Sequence, residues 1–189
     1  MDQARVAFMS IEIEKKYRLT PEQRTEILEV LDEVGATFVG EDHEENTLFS
    51  NDELIARKAV VRIRCVGDRA LLTFKQRIAG ISDAKQQIEH ESEVADAVEV
   101  RSIIESIGLQ PAVVYEKRRR TYKIRNVELV LDELPFGHFM EIEGSITSIA
   151  EVEMLLGLED LVVEHETYPR LTAKLGKRNG DVIESRFSD

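Results

Sequence analysis

The chain has little of what marks several large classes of protein. It has one cysteine, Cys65, so it cannot form an internal disulfide. It contains no apolar run near the ~20 residues that a membrane-spanning helix needs, and no basic region followed by an apolar run of signal-peptide length at its N-terminus. Its formal net charge of −12 argues against a protein that coats nucleic acid. We therefore expect a soluble, cytoplasmic protein with no nucleic-acid or membrane partner.

The composition indicates a folded chain rather than a disordered one. Charged residues make up 33% of the 189 residues and hydrophobic residues 42%, a balance that is typical of globular domains. The length suits one compact domain with a real core. We expect a single domain over 1–189, with its core at about 9–175 and a flexible tail at 177–189. No surface patch in the sequence argues for a homodimer.

Four helices are predicted from their capping residues and apolar spacing. The clearest begins after the N-cap Thr20, with Pro21 at the first helical position and Gln23 completing a capping box. Apolar residues at helical spacing and a glycine after the last turn support the others. The predicted helices run from about 21 to 34, from about 96 to 107, from Thr147 or Ser148 to near Gly157, and from Tyr168 to Leu175.

Between the helices, apolar and charged residues alternate with the period of a β-strand. Seven segments follow this pattern: 11–17, 61–65, 72–77, 88–93, 114–123, 129–132 and 140–143. The charged faces are sorted by sign, since 62–64 and 117–123 are basic whereas 89–93 and 141–143 are acidic. A solvated sheet face would mix polar residue types within each strand, so the sorting favours a built site.

Such strands predict an α+β fold. The amphipathic helices cover the apolar face of the sheet from outside, and the charged face closes around the lumen of a barrel. In the first strand, Glu12, Glu14 and Lys16 share the inward face. Basic side chains suit a chain of phosphates. The carboxylates suit Mg²⁺ or Mn²⁺, which bridge carboxylate and phosphate oxygens.

The order of the charged motifs resembles that of the CYTH superfamily, which is named for class IV adenylyl cyclases and thiamine triphosphatases and is also called the triphosphate tunnel metalloenzymes. The matching pieces are Glu12-x-Glu14-x-Lys16, Arg62-Ile63-Arg64, Thr73-Phe74-Lys75, Glu91-Ser92-Glu93, Glu116-Lys117-Arg118-Arg119, Leu131-Asp132 and Phe139-Met140-Glu141-Ile142-Glu143. The resemblance implies a closed, eight-stranded antiparallel β-barrel. Its tunnel would bind a small-molecule triphosphate and a divalent metal, usually Mg²⁺ or Mn²⁺.

The resemblance also implies roles for individual residues. The metal ligands would be Glu12, Glu14, Glu141 and Glu143. The triphosphate contacts would be Lys16, Arg62, Arg64, Lys75, Lys117 and Arg119. The catalytic groups, which would position water or hold a second metal, would be Asp132, Glu91 and Glu93.

Five further residues have weaker assignments. Tyr168 resembles a tyrosine near the C-terminus of the family, on a helix that would plug one end of the tunnel, and a purely structural tyrosine fits equally well. Arg77, Lys123 and Glu89 match no motif, and we expect them in a salt-bridged barrel rim. Cys65 is expected to be a buried, inert thiol on the outward face. The four histidines show no ligand spacing and receive no role.

The resemblance leaves three functions open. Cyclases of the family often carry a His-Phe pair before the first motif, where this chain has Val6-Ala7-Phe8-Met9. This difference favours a triphosphatase that hydrolyses inorganic triphosphate, thiamine triphosphate or a nucleoside triphosphate. The first alternative is a class IV adenylyl cyclase that converts ATP to cyclic AMP and pyrophosphate. The second is a binding module for triphosphate or polyphosphate without catalysis.

Overall fold

The computed structural model describes residues 10–78 and 85–188. Its strands are β1 (Ser10–Leu19), β2 (Thr37–Ser50), β3 (Ala59–Val66), β4 (Arg69–Ile78), β5 (Lys85–Val94), β6 (Gln110–Ile124), β7 (Val127–Leu134), β8 (Gly137–Glu143), β9 (Val162–Val163), β10 (Lys177–Asn179) and β11 (Val182–Ser185). Its helices are α1 (Pro21–Glu33), α2 (Asp52–Ala56), α3 (Ala97–Ser106), α4 (Ile146–Leu156) and α5 (Tyr168–Leu175). No helix in these two ranges combines the length and apolar character needed to cross a membrane.

Eight of the strands close into a barrel. Their order around it is β6, β2, β3, β4, β5, β1, β8 and β7, and pairing between β7 and β6 completes the ring. Every neighbouring pair in the ring is antiparallel. The fold therefore confirms the predicted α+β class and the closed eight-stranded barrel with helices outside.

All four predicted helices are present. In α1 the capping box forms as expected, because Thr20 and Gln23 each donate a backbone N–H to the side-chain oxygen of the other. The N-cap of α4 lies earlier than predicted, because the Ser145 hydroxyl accepts the backbone N–H of Ser148. α5 has the predicted bounds and is capped by Thr167.

The strand period sorts side chains as predicted. Apolar residues of β1, β7 and β8 point outward into a core beneath α1 and α4, which includes Tyr17, Leu131 and Met140. A second outer core lies beneath α2 and α3. Cys65 is partly buried at its edge, where burial raises the pKa of the thiol. Covering the outward faces in this way leaves the charged face of each strand for the lumen.

The strand β2 and the short helix α2 are absent from the sequence prediction. The central part of β2 has polar residues on both faces: Glu44 and Asn46 point inward and are buried, whereas Glu41 and Glu45 point outward to form ion pairs. A strand with polar residues on both faces shows no alternation of apolar and polar residues. The missing strand was nevertheless implied, because the seven predicted strands are one too few for the expected barrel.

The expected flexible tail at 177–189 is corrected by the structure. β10 and β11 form a hairpin there, and β11 pairs in parallel with residues 113–115 of β6. The shorter strand β7 pairs with β6 only over 118–124, so this edge of β6 is open to β11. Arg186 fastens the hairpin by ion pairs to Glu45, Glu116 and Glu184.

The packing of the hairpin leaves no room for a side chain at Gly176. A Cβ atom at Gly176 would lie 2.6 Å from the carbonyl oxygen of Glu184 and 2.7 Å from that of Thr172. Gly176→Ala should therefore lower the free energy of unfolding by about 1–3 kcal/mol, as overpacking does, measured by urea denaturation. Gly40→Ala is the matched control, because a Cβ there meets nothing within 4 Å. Equal stability of the two variants would contradict the packing of α5 against the hairpin.

Candidate active site

A cavity of about 880 Å³ lies inside the barrel. Nine basic residues line it: Lys16, Lys58, Arg62, Arg64, Lys75, Arg77, Lys117, Arg119 and Arg170. Seven acidic residues also line it: Glu12, Glu14, Glu89, Glu91, Glu128, Glu141 and Glu143. Basic residues slightly outnumber acidic ones in the lining, so all of the net charge of −12 lies elsewhere on the chain.

The two signs occupy opposite halves of the barrel wall. The arginines and lysines of β3, β4 and β6 lie on one side, where β2 separates β3 from β6. Apart from Lys16, the charged lining residues of β5, β1, β8 and β7 whose side chains the structure describes are carboxylates. The cavity therefore presents a basic wall to a polyanion and an acidic wall to a cation.

Glu44 of β2, a residue that the sequence analysis missed, forms ion pairs with three residues of the basic wall. Its carboxylate is 2% exposed and lies 3.2 Å from Lys117 Nζ, 3.6 Å from Arg64 Nη1 and 3.9 Å from Arg119 Nε. Burial raises the pKa of this carboxyl group, but Lys117, Arg119 and Arg64 lower it by more, so Glu44 stays ionised. Asn46 donates a further hydrogen bond of 3.2 Å to it.

Asp132 plays a similar part on the other side of Arg119. It is fully buried, and Arg119 donates to its two oxygens from Nε at 2.7 Å and from Nη2 at 2.6 Å. The Tyr168 hydroxyl donates to it at 2.8 Å. Asp132 is absent from the cavity lining, so its geometry suits a residue that positions Arg119 rather than one that touches an attacking water.

Lys16 and Glu141 connect the two walls. Glu141 lies 3.0 Å from Lys16 Nζ and 2.7 Å from Arg119 Nη2. Burial lowers the pKa of Lys16, but Glu141 and Glu14 raise it by more, so the amine stays charged. Its Nζ also lies 3.5 Å from the ring centroid of Tyr168, a cation–π contact. Tyr168 and Leu171 of α5 belong to one buried hydrophobic cluster with Phe139 of β8.

The acidic wall contains a crowded group of carboxylates. Glu12 accepts hydrogen bonds from Lys75 at 2.8 Å and from Gln87 at 2.6 Å, and Lys75 also lies 2.7 Å from Glu89. Burial and the hydrogen bond to Glu12 raise the pKa of Glu89 to about 7. Burial and the charge of Glu12 likewise raise the pKa of Glu143 to about 7. The carboxylates of Glu12 and Glu89 thus share the amine of Lys75.

This carboxylate group fits a divalent cation of the Mg²⁺ type. Hard oxygen donors are the ligands that Mg²⁺ and Mn²⁺ prefer, and Mg²⁺ takes only one or two carboxylates when phosphates and waters supply the rest. No three acidic, histidine or cysteine side chains within 10–78 and 85–188 are already converged as a complete metal cage.

The structure regroups several residues predicted to form the site. Glu91 lies in the lumen, 2.6 Å from Arg64 and 3.5 Å from Arg62. Glu93 lies outside the cavity lining, exposed and paired with Arg69 at 3.1 Å. Glu89 and Arg77, which were expected in the salt-bridged rim, both line the cavity, and Arg77 is exposed. Lys123, expected in the salt-bridged rim, is exposed outside the lining.

The comparisons with known proteins agree with this architecture. The model of the CYTH domain matches residues 10–167, and the chain belongs to this family. This finding confirms the resemblance drawn from the sequence motifs. No curated protein sequence matches the chain.

Solved structures share the fold over nearly their whole length. PH1012 from Pyrococcus horikoshii OT3 is 26% identical, with a TM-score of 0.74 over 85% of this chain and 98% of that one. A candidate adenylate cyclase from Vibrio parahaemolyticus is 19% identical, with a TM-score of 0.68 over 88% and 99%. HpAC1 from Hippeastrum, a candidate adenylyl cyclase described as having a dominant triphosphatase activity, is 19% identical, with a TM-score of 0.60 over 86% and 93%.

The buried position of Glu44 leads to a stability prediction. Glu44→Gln should lower the free energy of unfolding by about 3–5 kcal/mol, because three cations lose a counter-ion that they share in a buried site. Glu45→Gln is the matched control, because Glu45 points outward to Arg186 at a partly exposed ion pair, for which about 0–1 kcal/mol is expected. Chemical denaturation measures both values. Equal losses would contradict a special role for Glu44.

The raised pKa values predict a pH dependence of stability. In the folded state the pKa values of Glu89 and Glu143 are about 7, above the ordinary glutamate pKa of 4.5. The folded state therefore binds these two protons more strongly than the unfolded state. In the absence of divalent cations, Glu89 and Glu143 should therefore stabilise the folded state most at low pH. Their contribution to the free energy of unfolding should decrease as the pH rises from 4.5 to about 7. Glu143→Gln should flatten this decrease, whereas Glu26→Gln on the exposed face of α1 should not. Identical pH profiles for Glu143→Gln and the unaltered protein would refute the prediction.

Proposed function

We propose that the protein is a divalent-metal-dependent triphosphatase that acts on a triphosphate inside the barrel. The observation that carries the proposal is that the basic wall has hydrogen-bond donors without an acceptor in the described part of the chain. Within the described chain, the Nε–H groups of Arg62 and Arg64 are buried and have no hydrogen-bond partner. Buried donors without partners are costly, and phosphate oxygens are well suited to satisfy guanidinium donors.

The proposed role of the basic wall is to bind the phosphates and to stabilise the charge that develops during transfer. Lys16, Arg62, Arg64, Lys75, Lys117 and Arg119 are the proposed triphosphate contacts. Glu44 and Asp132 hold several of these cations in place before substrate arrives. Positions fixed in advance favour electrostatic stabilisation, because the donors need little rearrangement at the moment of reaction.

Glu91 is the proposed residue that orients the attacking water. Burial raises its pKa, but Arg64 and the Thr73 hydroxyl lower it by more, so the carboxylate is ionised and able to accept a proton or a hydrogen bond. Arg64 Nη2 donates to it at 2.6 Å and Thr73 Oγ1 at 2.8 Å, which fixes its orientation. Glu93, which shares this strand face, lies too far out to share the role.

The proposed holders of Mg²⁺ or Mn²⁺ are Glu12, Glu14, Glu89 and Glu143. A bound divalent cation would neutralise phosphate charge and favour departure of the leaving group. Glu141 was expected in this set, but its ion pairs with Lys16 and Arg119 suit a positioning residue better. We include Glu89 instead of Glu141, because Glu89 and Glu12 both form ion pairs with Lys75 and therefore lie close together.

A class IV adenylyl cyclase is the second candidate function. Two of the structural neighbours carry the designation of candidate adenylate cyclases, and one of these is described as having a dominant triphosphatase activity. The same cation wall could hold ATP while the ribose hydroxyl attacks the α-phosphorus. The stretch Val6-Ala7-Phe8-Met9, which favours a triphosphatase in the sequence analysis, lies outside the described residues.

A product assay tests the two candidates directly. The purified protein is incubated with tripolyphosphate, thiamine triphosphate or ATP in the presence of Mg²⁺ or Mn²⁺, and phosphate, pyrophosphate and cyclic AMP are measured. We expect phosphate release from at least one triphosphate. Cyclic AMP with pyrophosphate would replace the preferred function with the cyclase. No product from any of the three would refute both enzymes and leave a binding module.

The assignment of the acidic wall predicts the effect of one isosteric change. Glu14→Gln should lower metal-dependent turnover by more than about 100-fold, because a metal-binding carboxylate is lost, and should leave thermal stability nearly unchanged. Glu29→Gln, on the exposed surface of α1, removes the same charge and should keep full activity. Full activity of Glu14→Gln would sink the metal-ligand assignment.

A further inference from the structure

The nine cations of the cavity divide into two groups by their partners. Six form ion pairs with carboxylates: Lys16, Arg62, Arg64, Lys75, Lys117 and Arg119. The other three, Lys58, Arg77 and Arg170, form no ion pair within residues 10–78 and 85–188. The paired group coincides with the proposed triphosphate contacts, so the second group needs a separate explanation.

The three cations without ion pairs lie at one opening of the cavity. Arg77 donates its backbone N–H to the Lys58 carbonyl at 3.1 Å, which brings the beginning of β3 and the end of β4 together. Arg170 lies in the first turn of α5, whose amino end also lines the cavity. All three residues are exposed, so the cavity reaches solvent here. The amino end of a helix adds partial positive charge to the same place.

A second exposed part of the lining has the opposite sign. Glu128 and Glu143 are cross-strand partners on β7 and β8, and both are exposed. If the exposed charges of the lining were distributed without order, both exposed parts of the lining would carry acidic as well as basic residues. Within residues 10–78 and 85–188, none of the three basic residues at the first opening forms an ion pair, on a chain whose net charge is −12. The opening at Lys58, Arg77 and Arg170 is therefore a place where the cavity presents positive charge to solvent, which attracts anions.

The strand geometry connects this opening to the triphosphate site. Lys75 and Arg77 are two residues apart on one face of β4, so their Cα atoms lie roughly 7 Å apart along the tunnel. A nucleoside attached to the triphosphate would bring a neutral group to this point. A phosphate chain with further phosphoryl groups would bring negative charge, which matches cations that form no ion pair in the part of the chain that the structure describes.

We propose that Lys58, Arg77 and Arg170 form an anion subsite beyond the triphosphate site, which takes the additional phosphoryl groups of a linear polyphosphate longer than three units. The proposal rests on the proposed function for the position of the triphosphate. It concerns binding, and no bond is formed or broken at the subsite. Arg77 and Arg170 supply forked donors to phosphate oxygens, and Lys58 supplies a compact charge.

The test compares tripolyphosphate with tetrapolyphosphate by titration calorimetry at fixed ionic strength without divalent metal. The unaltered protein should bind tetrapolyphosphate about tenfold more tightly, which corresponds to about 1.4 kcal/mol. The triple variant Lys58→Gln, Arg77→Gln, Arg170→Gln should lose this preference and keep its affinity for tripolyphosphate within about twofold. The control variant carries Lys123→Gln, Arg125→Gln and Arg178→Gln, which are exposed positions outside the cavity lining.

Three results would overturn the subsite. These are equal affinity of the unaltered protein for both polyphosphates, equal weakening of both by the triple variant, and loss of the preference in the control variant. Failure of the proposed function is a separate result, because it appears as absence of turnover in the product assay. Binding that distinguishes the two chain lengths would support the subsite even in a protein without catalysis.

Discussion

The structure depends on the pairing of buried charges inside a closed barrel. Isolated ions are costly to bury, and they are tolerated only where opposite charges and hydrogen bonds surround them. Here Glu44, Asp132 and Glu141 supply that compensation to Lys117, Arg119 and other cations of the lumen. Because each carboxylate contacts more than one cation, the lumen is a connected network rather than a set of separate pairs.

The same network explains where a ligand can act. Carboxylates behind the basic wall fix its side chains, and the buried guanidinium donors of Arg62 and Arg64 still have no partner in the described chain. On the opposite wall, burial and neighbouring carboxylates raise the pKa values of Glu89 and Glu143 to about 7, so their ionised forms are disfavoured there. The two imbalances face each other across the cavity, and they are the features that a polyanion together with a divalent cation would relieve.

Residues whose positions follow from the sequence differ in a clear physical way from those whose positions do not. Alternation placed Glu12, Glu14 and Lys16 in the lumen correctly, because the opposite face of β1 is apolar and covered by helices. Glu44 was missed because β2 is polar on both faces there. The hairpin of β10 and β11 was missed because it packs on the open edge of β6 and is held by Arg186, which contacts residues far away in the chain.

The sequence by itself determined the inward faces of seven strands, where α1, α3 and α5 begin, the family, and most of the charged residues in the cavity. Those properties follow from local period, capping and motif order. Only the tertiary structure decided which charges meet: Glu141 with Lys16 and Arg119, Glu89 with Lys75, and Glu93 with Arg69 outside the cavity. The physical reason is that strand period fixes a face but not a depth, and the partners of a charge depend on strand order and register around the closed barrel.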